Sequence, residues 1–72
     1  MNKCTIMTAA GYKYAGPHKF ATPAAALQHL RVVFNDSQID FATDPNEEDA
    51  ASVEIRTLLC GNSVLVATLI AD

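Results

Sequence analysis

The spacing of apolar and polar positions changes period twice along this chain, and the changes mark its elements. "KCTIMTA", residues 3–9, carries β-branched Thr5 and Ile6 and ends at Ala-Ala-Gly, which reads as a short strand. In "YKY" (12–14) and "HKF" (18–20), ring side chains alternate with lysine around "AGP", as on a strand with two unlike faces. A second strand is expected near 19–21. Thr22-Pro23 then opens a helix: threonine is a good N-cap, and proline disfavours the α region before it and fits the first helical turn. Ala26, Leu27, Leu30, Val33 and Phe34 fall on one arc with Gln28 opposite, and Asn35-Asp36-Ser37 supplies a stop, so the helix is expected over 23–34.

Beyond the helix the pattern returns to period two. Ile39 and Phe41 alternate with Gln38 and Asp40, which predicts a short strand or an anchored loop, and "DPNEED" is turn chemistry leading into a solvated acidic run. The remainder reads as a hairpin. Val53, Ile55, Thr57 and Leu59 share one face, Gly61-Asn62 suits a tight turn, and 64–71 is a nearly continuous apolar strand. A competing pattern has Asp44-Pro45-Asn46-Glu47 capping a helix that ends at Cys60 with Gly61 as C-cap. That helix would set Glu54 within its apolar arc and would be rich in β-branched residues, so the hairpin is preferred. The expected fold is a single compact α+β domain over 1–72. It is a small antiparallel β-sheet of four strands, with an optional fifth near Ile39 and one α-helix packed across one face, in the order β-β-α-β-β.

Composition limits how stable such a fold can be. A chain of 72 residues buries only about 60% of the surface it exposes unfolded. Twelve residues are alanine and none is tryptophan, so the core must come mainly from Leu, Ile, Val and three Phe. The run 64–71 is apolar on both faces while one helix covers only one, which predicts a homodimer. No run reaches the roughly 18 apolar residues of a membrane helix, and the start of the chain lacks the pattern of a cleaved leader. The chain therefore reads as a soluble cytoplasmic protein, in the host cytoplasm if phage-encoded. Cys4 and Cys60 are too few and too far apart for a disulfide framework and are expected as buried free thiols.

Charge is the least even property of the chain. Residues 1–35 hold Lys3, Lys13, Lys19 and Arg31 and no acid, whereas 36–72 hold all eight acids and only Arg56. The two halves carry +4 and −7, which sum to the net charge of −3. Such asymmetry points to a partner surface.

Two stretches could carry function. Tyr12, Lys13, Tyr14, His18, Lys19 and Phe20 interleave rings for base stacking with cations for phosphates, as a surface for single-stranded nucleic acid requires. Two lysines give little counterion release, and the bland reading has Tyr14 and Phe20 packing on the sheet while the lysines protect an edge strand. Cys4, His18, His29 and Cys60 are the atoms of a zinc site, but no CxxC or HxxxH spacing joins any pair. No cofactor is therefore expected. Catalysis would need a nucleophile, a base and a walled pocket, and the chain is read as a non-enzyme. Glu47, Glu48 and Asp49 lack the ligand alternation and glycine of a calcium loop.

The second stretch is acidic. Asp36, Asp40, Asp44, Glu47, Glu48 and Asp49 fall within fourteen residues, and displayed together they would offer a basic protein surface the charge pattern of a nucleic-acid backbone. In size, charge and element order the chain is similar to phage and mobile-element proteins that block host machinery, some anti-CRISPR proteins among them. That resemblance implies an inhibitor or modulator binding a basic protein partner, and no motif carries it. The alternatives are a small nucleic-acid-associated protein using 12–20, or an accessory structural subunit.

Overall fold

Residues 3–44 and 51–71 are described by a computed structural model. Their order is β1 (Cys4–Thr8), β2 (Lys19–Phe20), α1 (Pro23–Val33), β3 (Asp40–Phe41), β4 (Ser52–Leu59) and β5 (Asn62–Ala71). The strands form one antiparallel sheet in the spatial order β2-β1-β5-β4-β3. The fifth strand near Ile39 is present as β3. Residues 52–59 are extended, which removes the helical alternative there; Pro45, Asn46 and Glu47 of its proposed opening turn lie outside the described residues.

The helix begins and ends as its flanking residues dictate. Thr22 is extended at the N-cap, its Oγ1 accepts from Ala25 N–H at 3.2 Å, and Pro23 takes the first turn, where no N–H is missed. At the other end Phe34 caps, Asn35 takes φ 49°, Asn35 N–H donates to Val32 C=O and Asp36 N–H to Arg31 C=O. This pair of bonds is the Schellman stop. Pro23, Ala26, Leu27 and Leu30 are buried, and the helix lies nearest β1 and β2. Val33, expected on the buried arc, is instead 44% exposed. Phe34, one residue on, takes the core-facing place in that last turn, against Tyr12.

One core unites the helix with the facing side of the sheet. Cys4, Ile6, Val53, Ile55, Val66, Ala67 and Leu69 meet Ala26, Leu27, Leu30 and Ile39, with Tyr12, Tyr14, Phe20, Phe34 and Phe41 packed around them. The register contains one irregularity. Ile55 faces Ala67 but Arg56 faces Leu65, so Val66 is an extra residue in β5. This bulge lets two consecutive side chains, Val66 and Ala67, both be fully buried. It also reverses the alternation, so that Leu65, Thr68 and Ile70 share the sheet face away from the helix.

Four local expectations are corrected. Tyr12 to Tyr14 lie outside any strand: the chain leaves β1 by a turn in which Tyr12 N–H donates to Ala9 C=O and Gly11 takes φ +92°. The tight turn of the hairpin is Cys60-Gly61 and not Gly61-Asn62, with φ of 51° and 81°, the two positive values a two-residue hairpin turn uses. Leu59, expected inward, is exposed because the end of the hairpin runs past the rest of the sheet, and Cys60 at its tip is an exposed free thiol, whereas Cys4 is buried.

Candidate protein-recognition surface

The strand order converts the charge asymmetry of the sequence into a separation in space. Lys19 lies on edge strand β2 and Lys3 just before neighbouring β1, while Asp40 lies on the opposite edge strand β3 with Glu54 on neighbouring β4. Basic and acidic residues thus border opposite edges of the sheet.

The acidic edge is built from anchors that hold its exposed groups in place. Ile39 is 1% exposed and inserts into the core, and Phe41 packs against it. Arg31 of the helix donates from Nε to Ile39 C=O at 2.7 Å, and its Nη2 lies 3.6 Å from Asp40 Oδ1. Asp36 is used internally: Oδ1 accepts from Gln38 N–H at 2.9 Å and Oδ2 from the Thr57 hydroxyl at 2.7 Å, tying the helix exit to β4. Ala42 N–H donates to Glu54 C=O, continuing the pairing beyond β3. Between these fixings Ser37, Gln38, Asp40, Ala42 and Asp44 are exposed, and a shallow groove lined by Gln28, Arg31, Val32, Asn35, Asp36 and Ser37 opens beside them. Of the six acids singled out in sequence, Asp40 and Asp44 are presented outward and Asp36 serves as a fastening. Glu47, Glu48 and Asp49 lie outside the described residues.

At the basic edge the rings are turned into the structure. Tyr12 meets Phe34 edge-on with centroids 5.6 Å apart, and Tyr14 meets both His18 and His29 at 5.5 Å. Phe20 lies 5.2 Å from His29. The Tyr14 hydroxyl donates to Pro17 C=O at 2.5 Å, and burial raises its pKa. His29 Nε2 is buried with no hydrogen-bond partner, pressed against the turn at Gly16. A Cβ at Gly16 would stand 2.6 Å from that nitrogen and 2.9 Å from the Tyr14 oxygen, so any other residue forces the loop or one of these side chains to shift. Lys13, His18 and Lys19 remain exposed.

The four residues considered for zinc do not assemble. Cys4 is buried in β1 with its thiol toward Phe20 C=O at 3.9 Å, and Cys60 sits at the hairpin tip; no metal-ligating group of three forms among the described residues. No helix of the described residues is long and apolar enough to cross a membrane.

Sequence reasoning missed two features. Gly16 has no periodic signature, because its role comes from a helix thirteen residues away. The uncovered apolar face was implied by the two-sided run 64–71, but its members, Met7, Leu58, Leu65 and Ile70, were not, because only strand pairing and the bulge in β5 bring them together. Comparison of the chain with protein-family models, with curated proteins and with solved structures finds no match.

Proposed function

We propose that this protein is a non-enzymatic interaction module whose acidic edge, from Asp36 through the acids that follow Asp44, docks on a basic protein surface. The observation that carries this reading is the anchoring of the edge. Ile39, Arg31 and Asp36 fasten the backbone from within, and Asp40 and Asp44 stay exposed on it, Asp40 beside Arg31 at 3.6 Å, so a partner meets side chains already held in position. The rings that a nucleic-acid reading needs for stacking are engaged with Phe34, His18 and His29, which weighs against that use of 12–20. The basic partner is a component of nucleic-acid-handling machinery, and the protein acts on it in the cytoplasm as an inhibitor or modulator of phage or mobile-element type. The likeness in size, charge and element order supports that last step.

The test is capture from nuclease-treated host lysate by wild type and by a variant with Glu47, Glu48 and Asp49 all replaced by Ser. Wild type should retain a protein partner that salt releases, since exposed charge pairs are screened over roughly 8 Å at physiological ionic strength. The triple variant should lose it while melting within a few degrees of wild type, because charges that the sequence reads as a solvated run add little to folding. Retention of the partner by the triple variant would overturn the reading, as would its loss on nuclease treatment alone.

A further inference from the structure

The sheet has a second face, and the helix does not cover it. Register places Thr5, Met7, Lys19, Asp40, Glu54, Arg56, Leu58, Ser63, Leu65, Thr68 and Ile70 on that side. Met7 is 56% exposed, Leu58 54% and Ile70 38%, and half-buried Leu65 lies between them on the central strand. A sheet that faces water normally alternates to polar residues on its wet side. Here Met7, Leu58, Leu65 and Ile70 stand exposed or half-buried among Thr5, Ser52, Ser63 and Thr68, and the flanks are charged.

The flanks decide what fits. On the β2 and β1 side stand Lys19 and, by alternation, Lys3. On the β4 and β3 side stand Asp40, Glu54 and Arg56, with Arg56 held 3.5 Å from Glu54. The two halves of the face therefore differ in charge, two cations against two acids and one cation, with Asp40 also 3.6 Å from Arg31 of the helix. We infer that a second copy of this chain covers the face, related by a two-fold axis running parallel to β5. That operation alone stacks the face so that β2 of each copy lies over β3 of the other. It sets the lysine half against the acidic half twice, and brings Leu65, Thr68 and Ile70 onto their own counterparts along the axis. An in-plane axis across the strands would lay lysines over lysines. The inference does not rest on the docking of a basic partner at the acidic edge, and either can fail without the other.

The size of the face sets the strength of the pairing. Strands about 4.8 Å apart, each residue rising ~3.3 Å, give a five-stranded face on the order of 500 Å². Two such faces reach only about 1,000 Å² in total, the lower limit of specific interfaces.

Sedimentation equilibrium on the whole chain tests this with two charge-altered variants, circular dichroism confirming that each folds. The first carries Lys3→Glu with Lys19→Glu, and the second Asp40→Asn with Glu54→Lys. Each gives both halves of its face the same sign, so each alone should dimerise about tenfold more weakly than wild type, the equivalent of ~1.4 kcal/mol. Mixed in equal amounts they should recover the wild-type association, since the acidic face of one then meets the basic face of the other at both edges. Ile70→Glu should abolish both the homodimer and recovery in the mixture. A wild-type monomer at high micromolar concentration overturns the inference, and so does a mixture that associates no better than its components.

Discussion

The two edges of the sheet are made from similar materials used in opposite directions. At the β2 edge the chain commits its rings inward, Tyr14 and Phe20 against His29 and Tyr12 against Phe34, and what remains outside is lysine on a backbone held by those rings. At the β3 edge a single aliphatic residue, Ile39, and two charged ones, Arg31 and Asp36, are spent on fastening. Asp40, 3.6 Å from Arg31, stays largely exposed. An aromatic-rich stretch is thus structural here, and a charge-rich one is the presented surface. Residue type alone assigns neither role. What decides is how much of the side chain stays exposed once the fold has formed.

The largest expected effect tests the fastening of the acidic edge. Ile39→Ala opens a hole in a fully packed position and should cost about 2–5 kcal/mol in chemical denaturation. A cost under about 1 kcal/mol would mean that the edge is held by its polar bonds alone, and the contrast between the edges would shrink.

Next in size is Gly16→Ala at the other edge. The added methyl would sit 2.6 Å from His29 Nε2, so either the loop or the histidine must move, at a cost of roughly 1–3 kcal/mol. NMR shifts of the Tyr14 and His29 rings should change with it. A neutral substitution would show that the 11–18 segment is free to lift, and would return its rings to the surface as stacking platforms.

The smallest expected effect is the most discriminating. Lys13→Ala with Lys19→Ala should change stability by no more than about 0.5 kcal/mol. It should also leave capture of the basic partner intact. If that pair abolishes capture while the acidic triple preserves it, the functional assignments of the two edges must be exchanged.

These contrasts were only partly legible in the sequence. Helix α1 was, because Thr22-Pro23 and Asn35 act within a few residues of themselves and need no tertiary partner. The hairpin was also legible, from period-two burial at Val53, Ile55 and Thr57. The direction of the Tyr12 and Tyr14 rings was not, since it depends on Phe34 and His29 arriving from the helix. Nor was the internal use of Asp36, whose partner Thr57 lies 21 residues on. The bulge at Val66 was invisible for a related reason: alternation shows that a strand has two faces, but a slip in pairing exists only between two strands.

The position of β5 has a consequence for how the molecule comes into being. It is the middle strand of the sheet, yet it follows every other strand along the chain, and Cys4 pairs with Ala71 across almost the whole length. Until β5 emerges from the ribosome, β1 and β4 have no common neighbour and the apolar faces of both stand open. Assembly must therefore wait for the end of this stretch of polypeptide, and closing so long a loop makes folding slow for its size. The nascent chain is exposed to chaperones and proteases throughout that interval. A stop codon before Val64 should leave no partial domain, only an unfolded chain that is degraded.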